Sequence, residues 1–202
     1  CVPTPVRQEY LRTAYGFDCK CAACAPTAPD VCRAFVCAEC KAKDKAGVVC
    51  PPAWRCDAAV CGREATAGEQ KAFLAAEAEL ARVPAAAVPV AKVLSAGLLH
   101  PSHHRLFHAL DEQVVPQAQS GKQGLEAALR SVDLLLDALA RLVPPHHVQF
   151  AVFHDMKAQI LLAKGDRAAA KEAYRAAFKN RVVSCGEDTP QTLEAKKKFR
   201  SC

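Results

Sequence analysis

Several features that identify common protein classes are missing from this sequence. Aromatic residues make up only 6% of its 202 residues, so the core must be built largely from Leu, Val and Ala on helices. No run of 18 or more apolar residues occurs, and the first residues do not form a positively charged segment followed by an apolar one. The sequence therefore predicts neither a membrane-spanning helix nor a signal peptide. It also contains no phosphate-binding loop and no arrangement of a nucleophile with a base.

The overall composition is that of a globular protein. Hydrophobic residues make up 51% and charged residues 24% of the chain, and the formal net charge is +6. This balance is typical of folded chains, and the length suits one large or two small domains. Residue 1 is Cys rather than Met, so we expect that upstream sequence is missing. A mature lipoprotein, which also begins with Cys, is the alternative.

Cysteine is abundant, and its distribution is uneven. Nine of the twelve cysteines lie within residues 19–61. Disulfide bonds need an oxidising compartment, and nothing else in the sequence points to one. Short Cys-x-Cys and Cys-x-x-Cys spacings let one turn of backbone aim two thiolates at the same ion. Such spacings are found at Cys19, Cys21, Cys24, Cys37 and Cys40. The sequence therefore favours zinc over disulfides, and an intracellular protein of the cytoplasm or nucleus.

Residues 65–202 have the pattern of a helical domain without a sheet. Proline cannot continue a helix interior and disfavours helix at the residue before it, so the prolines divide this region into about seven predicted helices. Their predicted bounds are 67–83, 90–99, 102–115, 121–143, 147–164, 166–184 and 189–200. In the clearest, 121–143, apolar residues recur every three or four positions and mark a buried face. These residues are Leu125, Leu129, Val132, Leu136, Leu139 and Val143.

Two of the predicted helices, 147–164 and 166–184, carry part of a tetratricopeptide signature. Gly165 stands at the turn between them. Small and aromatic residues stand where the two antiparallel helices of such a unit touch. These residues are Ala158, Leu161, Ala170, Tyr174 and Ala177. His154 and Val182 replace the Trp and Pro of the regular unit. We therefore expect a repeat-like antiparallel array that offers a scaffold or groove to protein partners.

The segment 7–24 contains the most specific motif. It begins with a predicted short helix, residues 7–14. Tyr15 and Phe17 follow at a spacing of two, as in a strand-like turn with both rings on one side. Three thiolates come next, whereas a structural zinc site normally has four ligands. The thiolates belong to Cys19, Cys21 and Cys24. The fourth ligand must therefore come from elsewhere in the chain or from missing sequence.

The pattern R-x-x-x-L-x-x-x-Y-x-F-x-C-x-C-x-x-C resembles the end of the SET domain and the post-SET segment of protein lysine methyltransferases of the SMYD (SET and MYND) type. The matching residues are Arg7, Leu11, Tyr15, Phe17, Cys19, Cys21 and Cys24. The resemblance implies that the three cysteines bind zinc together with a cysteine of the upstream SET core. It implies that Tyr15 lines the channel for the target lysine and that Phe17 lies against the adenine of S-adenosylmethionine. In this family, helical repeats similar to tetratricopeptides follow and close over the substrate groove.

Residues 31–64 differ from the shorter animal-type members of that family. Cys37-x-x-Cys40 and Cys56-x-x-x-x-Cys61-Gly resemble the two halves of a zinc ribbon, although a regular ribbon has two residues within each pair. Two other cysteines are alternative ligands, namely Cys32 and Cys50. The first of these is also a candidate fourth ligand for the upstream thiolates. A surface insert with reduced thiols is the alternative to a second zinc site.

Two weaker patterns do not change this interpretation. A basic stripe repeats every four residues and is expected to be a solvated face, because no aromatic residues for stacking on bases interleave its charges. It consists of Arg167, Lys171, Arg175 and Lys179. Three histidines repeat at the same spacing but lack the carboxylate of a motif such as H-E-x-x-H. They are His100, His104 and His108, and we expect them to be ordinary polar residues.

The sequence thus predicts a mainly α protein with three parts. Residues 1–30 are the end of a SET domain and a zinc knuckle, residues 31–64 a Cys-rich insert with a possible zinc ribbon, and residues 65–202 a helical domain similar to tetratricopeptides. By the resemblance, the chain is the C-terminal part of a lysine methyltransferase that acts on a protein substrate and lacks most of its active site. We expect neither nucleic-acid nor membrane binding. The alternatives are a non-catalytic adaptor built from the knuckle and repeats, and a lipid-anchored or secreted Cys-rich protein.

Overall fold

The computed structural model describes residues 2–202. Within these residues the chain forms nine α-helices and a small three-stranded sheet, which confirms the predicted mainly α fold with a small irregular Cys-rich part. None of the helices in this range combines the length and apolar character that crossing a bilayer requires. The chain divides into two compact units, Cys1–Ala109 and Leu110–Cys202. The predicted division at residues 30 and 64 stays a prediction.

The first unit contains all three strands and the first four helices. The helices are α1 (Thr4–Tyr15), α2 (Ala38–Ala42), α3 (Ala67–Ala81) and α4 (Val90–Ala96), and the strands are β1 (Phe35–Val36), β2 (Val48–Cys50) and β3 (Arg55–Cys56). Short 3₁₀ turns lie at Ala22–Cys24, Val31–Arg33 and Ala85–Ala87. Helix α5 (His104–Gln119) includes the boundary between the units. The remaining helices are α6 (Lys122–Leu142), α7 (Val148–Lys164), α8 (Arg167–Cys185) and α9 (Pro190–Ser201).

The bounds of the helices from residue 65 onward agree closely with those predicted from the proline positions, with one exception. The sequence prediction ends the third of these helices at residue 115, but α5 continues through Pro116 to Gln119. A proline removes one main-chain donor, and only three helical residues follow it here, so the loss is confined to the last turn. No strand lies in the described residues beyond 65, although an isolated bridge pairs Leu99 with Phe35.

Helix α1 corrects the predicted conformation around Tyr15. The helix is longer than expected and has Tyr15 as its last residue, and Gly16 ends it in the left-handed conformation at φ +73°. Alternation along an extended strand therefore does not apply to Tyr15 and Phe17, and the strand-like turn is wrong. Glycine suits this position because other residues adopt positive φ at a cost.

The sheet of the first unit is antiparallel, with the strand order β1-β2-β3. Behind it lies an aromatic core, in which Phe35 is fully buried and stacks on Phe73 of α3 at a ring distance of 4.9 Å. The Trp54 ring lies 5.7 Å from that of Phe35. Three of the twelve aromatic residues of the chain thus meet where the Cys-rich segment packs on α3.

Small residues form the core of the second unit. Gly165 and Asp166 alone join α7 to α8, and Gly165 adopts φ +87°. Ala158 and Ala170 are fully buried and let the two helices approach closely. Tyr174 is 6% exposed and packs with them. The predicted turn and contact residues are therefore in place, while the likeness of the array to tetratricopeptides stays a prediction.

The buried face of α6 is rotated from the predicted one. Val132 and Leu139 are buried as expected, but Leu136 and the other predicted members lie at the edge of the face. Its centre is formed by Ala128, Leu135 and Ala138, all fully buried. A pattern search weighted toward large residues misses the alanines that allow neighbouring helices to come close.

Candidate metal centres

Four cysteine side chains converge in the first unit. Their Sγ atoms all lie within 4.8 Å of one another, and they belong to Cys37, Cys40, Cys56 and Cys61. The Sγ–Sγ distance is 3.8 Å between Cys37 and Cys61 and 3.6 Å between Cys40 and Cys56. Four sulfurs at about 2.3 Å from a tetrahedral zinc ion would be about 3.8 Å apart. The four-cysteine cluster can therefore hold a metal ion with little movement.

Local backbone structure explains why two unequal cysteine spacings reach one point. Cys37 is the N-cap residue of α2, and its carbonyl accepts the Lys41 N–H at 2.9 Å, so Cys40 lies in the first turn. Cys56 is the last residue of β3, and its N–H donates to the Arg63 carbonyl at 2.8 Å. The Cys61 N–H then donates to the Ala58 carbonyl at 2.8 Å. This turn takes up the two extra residues between Cys56 and Cys61, which made the ligand choice ambiguous in the sequence.

The two alternative ligands lie outside the cluster. Cys50 is 5% exposed in β2 and packs against Ala34 and Val48. The sulfur of Cys32 is disulfide-bonded and is therefore not free to ligate a metal at either cluster. The sequence predicts two uses for Cys32, ribbon ligand and fourth ligand of the knuckle, and the structure supports neither.

The four thiols cannot all ionise without a cation. Burial is the largest influence on Cys56 and raises the pKa of its thiol. Burial also acts on Cys37, but hydrogen bonds from the Cys40 N–H and from neighbouring thiols outweigh it and lower its pKa. Adjacent thiolates repel one another, so only a bound divalent cation makes the fully deprotonated cluster stable.

Gly47 is a part of this site that sequence reasoning missed. A Cβ atom at this position would lie 2.5 Å from the Cys40 Sγ and 2.6 Å from the Cys56 Sγ. The Gly47 carbonyl also accepts the N–H of Cys37 at 3.1 Å. The backbone therefore passes directly against the thiolates, and no other residue type leaves enough room.

Arg63 joins the four-cysteine cluster to α3. Its guanidinium donates to Glu69 Oε2 at 2.7 Å. Glu69, and to a smaller extent the Cys37 thiol, raises the pKa of Arg63. Glu69 also forms a capping box with Thr66, whose hydroxyl accepts the Glu69 N–H at 3.3 Å. The Glu69 carboxylate thus caps the start of α3 and also holds the guanidinium of Arg63 near the cysteine cluster. Residues around metal ligands commonly orient those ligands through such contacts.

The second cluster is the knuckle predicted from the motif. The sulfurs of Cys19, Cys21 and Cys24 lie within 4.8 Å of one another, and Cys24 is buried while Cys21 is exposed. Hydrogen bonding with the Cys19 and Cys24 thiols lowers the pKa of Cys21, and the main-chain N–H groups of the 3₁₀ turn Ala22–Cys24 act in the same direction. Within the described residues no fourth donor joins these thiolates, so the site is an open three-ligand one.

Tyr15 and Phe17 immediately precede this knuckle and are both exposed. Tyr15 is 66% exposed and Phe17 49% exposed. The Tyr15 ring makes an edge-to-face contact with Tyr10 at 5.9 Å. Neither ring is therefore a core residue of this chain. Their assignment to a lysine channel and a cofactor wall stays a prediction.

A third polar group lies between α3 and the start of α5, and sequence reasoning missed it. Arg33 Nε donates to Glu77 Oε1 at 2.9 Å, and the same oxygen lies 3.2 Å from His103 Nε2 and 3.6 Å from His104 Nε2. The Arg105 N–H donates to His103 Nδ1. His103 Nε2 must therefore carry the proton and donate to Glu77. This leaves the group as a satisfied polar network rather than a metal site.

The weaker sequence patterns have ordinary explanations. The basic side chains of α8 are exposed, opposite the buried Ala170, Ala173 and Ala177. Among the predicted histidines, His104 contacts Glu77 and His100 bonds to Ser102. The three predicted histidines do not converge on one site; His104 instead lies with His103 and Glu77, whose possible ligand atoms are all within 4.8 Å of one another.

Comparisons with known proteins add no family to this description. No protein-family model and no curated protein matches the chain. Functional assignment therefore depends on the motif and on the geometry of the two clusters.

Proposed function

We propose that this chain is the C-terminal part of a SET-domain protein lysine N-methyltransferase of the SMYD type, which uses S-adenosylmethionine. Zinc is proposed as the ion at both cysteine clusters. The helical units then provide a scaffold beside the groove for the protein substrate. Ten of the described cysteines are free, whereas Cys32 is disulfide-bonded. This excess of free thiols supports a reducing compartment, so the cytoplasm or nucleus is the proposed location.

The observation that carries the proposal is the exposure of Tyr15 and Phe17 beside an open three-thiolate knuckle. Tyr15 contacts the exposed ring of Tyr10 and is followed along the chain by exposed Phe17. A group of exposed aromatic rings marks a surface that contacts something else. A structural zinc site with three protein ligands is equally incomplete. Both features are explained together if a SET core covers the rings and supplies the fourth thiolate, as the motif implies.

Zinc is favoured by the chemistry of the donors. Both clusters consist of sulfur alone, and soft thiolates with tetrahedral spacing select zinc among the common divalent ions. The four-cysteine cluster has no open position, so its role is structural. The knuckle fixes the end of the segment that carries the two rings.

The chain's contribution to catalysis would be positioning. S-adenosylmethionine, when bound, supplies the methyl group. The Tyr15 ring would form part of an aromatic channel that holds the lysine amine in line for transfer, and its hydroxyl would orient that amine. The Phe17 ring would offer apolar surface to the adenine.

Methylation assays on the full-length protein test this proposal. Phe17→Ala removes adenine contacts in the ground and transition states alike, so we expect mainly a higher KM for S-adenosylmethionine. Tyr15→Phe deletes one hydroxyl, and we expect kcat to fall because the activation free energy rises by about 1–3 kcal/mol. Tyr10→Phe is the matched control and should behave as wild type. The proposal fails if no lysine is methylated, or if all three variants are kinetically identical to wild type.

A non-catalytic adaptor is the second candidate, favoured by a cavity in the second unit. The cavity has a volume of about 710 Å³ and is lined by Phe150, Phe178, Val182 and Val183, among others. Val183 is 61% exposed. If the protein is an adaptor, the wild-type chain should bind a peptide and Val183→Asp should abolish that binding. No methyl transfer should be detected.

A further inference from the structure

Helix α1 has no hydrophobic anchor of its own. None of its twelve residues is buried. An isolated helix of this length is marginal in water, because packing rather than propensity supplies most helical stability in proteins. Leu11 is only partly buried, so the contacts that order α1 are largely polar.

The first contact joins α1 to the start of the knuckle. The Gln8 side chain donates from Nε2 to the Cys19 carbonyl at 2.7 Å and accepts the Cys19 N–H on Oε1 at 2.9 Å. Both main-chain groups of the first candidate ligand are thus paired with one amide. These two hydrogen bonds fix the position and direction of Cys19 relative to the helix.

The second contact joins α1 to the end of the knuckle. Arg7 Nη2 donates to the Cys24 Sγ at 3.3 Å and to the Ala23 carbonyl at 3.4 Å. The guanidinium is held by bonds to the Thr4 hydroxyl at 3.1 Å and the Val2 carbonyl at 3.3 Å. Its positive charge also offsets the negative charge that accumulates when several thiolates bind one divalent ion.

We infer that Arg7 and Gln8 are positioning residues for the metal at Cys19, Cys21 and Cys24, and that this metal in turn orders α1. These two consecutive residues of α1 hydrogen-bond to the two ends of the knuckle. Coupling between two equilibria is reciprocal, so a helix that stabilises the metal-bound knuckle is stabilised by the metal. The inference rests on the proposed metal binding at this knuckle.

The coupling has a consequence for the ring at the end of the helix. Tyr15 is the last residue of α1, so the order of the helix decides where this ring is held. Asp30 provides a separate anchor, because its Oδ2 accepts the Thr4 N–H at 2.9 Å. Loss of metal should therefore loosen the later turns of α1 more than its first residue.

Two measurements on the full chain test the inference. Zinc affinity is measured by competition with a chromophoric chelator, and amide hydrogen exchange is followed in peptides from α1 with and without zinc. Arg7→Met and Gln8→Leu should weaken zinc binding at the knuckle by about 10–100-fold, the usual effect of removing a partner of a metal ligand. Their α1 peptides should exchange rapidly even with zinc present. Arg7→Lys, which keeps the charge, should lie between Arg7→Met and wild type.

The controls separate this inference from the proposed function. Arg12→Met changes the other arginine of α1, which pairs with exposed Glu9 and Asp18, and should match wild type in both measurements. Binding at the four-cysteine cluster should be equal in all these variants, which shows that they fold. If Cys21→Ser binds as much zinc as wild type, the knuckle site itself is refuted. If Cys21→Ser loses zinc but Arg7→Met and Gln8→Leu bind it as wild type does, only the positioning role is overturned.

Discussion

Gly47 shows how a single residue limits what the four-cysteine cluster tolerates. The contact matters because the obstructed atoms are the sulfurs of Cys40 and Cys56, which must converge on one ion. At Gly68, in the first turn of α3, an added Cβ would meet only the Thr66 hydroxyl oxygen, at 3.9 Å. The two glycines therefore form a matched pair, one beside the sulfurs and one in open space.

We expect Gly47→Ala to disrupt metal binding and Gly68→Ala to leave it intact. The first substitution forces the thiolates apart and should release zinc from one site at a much lower chelator concentration than in wild type. The second should be neutral or slightly stabilising, by about 0.4–1 kcal/mol, because it restricts the unfolded chain. Chelator competition and urea unfolding measure both effects. Equal zinc retention in the two variants would mean that the four sulfurs do not share an ion.

Among the secondary-structure elements, α3 depends most visibly on charge. Glu69 accepts hydrogen bonds from Arg63 and from Thr66, and these lower its pKa from the usual 4.5 to about 2. A carboxylate whose pKa is depressed in the folded state stabilises that state above the unfolded pKa. The stabilisation by Glu69 is therefore complete above about pH 4.5 and is lost as the pH falls toward 2.

Glu69→Gln should destabilise the protein near neutral pH by roughly 0.5–2 kcal/mol, the usual contribution of a helix cap. The difference from wild type should shrink as the pH falls below about 4.5, where the wild-type carboxylate becomes protonated. Comparison at each pH cancels the effect of acid on the cysteine clusters. Glu79→Gln, at an exposed position of the same helix, is the control. A difference that does not change with pH would contradict the role of the Glu69 charge.

The rotated face of α6 gives a second prediction at the scale of elements. Leu135 is fully buried at the centre of the face, whereas Leu136 lies at its edge. Leu135→Ala should lower the free energy of unfolding by about 2–5 kcal/mol, the usual cost of emptying a packed site. Leu136→Ala should cost clearly less. Denaturant unfolding of the two variants measures this, and equal losses would place the face where the sequence pattern predicted it.

At the scale of the whole molecule, features set by neighbouring residues were predictable, and features that join distant residues were not. Proline positions, the Gly165 turn and the short cysteine spacings act locally. The sequence therefore located most helices and the cysteines of both clusters. Gly47 and Glu77 are ordinary in their local sequence. Gly47 matters only because helix α2 and strand β3 bring Cys40 and Cys56 against it. Glu77 matters only because α3 packs beside Arg33 and His103. The strand-like turn at Tyr15 failed because a left-handed Gly16 ends α1 there.

The zinc content of the purified chain tests most directly the claim that this molecule is organised by two separate metal centres. Native mass spectrometry should find two zinc ions per chain, with the tighter one at the closed four-cysteine cluster. Cys40→Ser should lose that ion and keep the ion at the knuckle, and Cys21→Ser should do the opposite. A chain that carries no zinc, or variants that each keep two ions, would contradict the account.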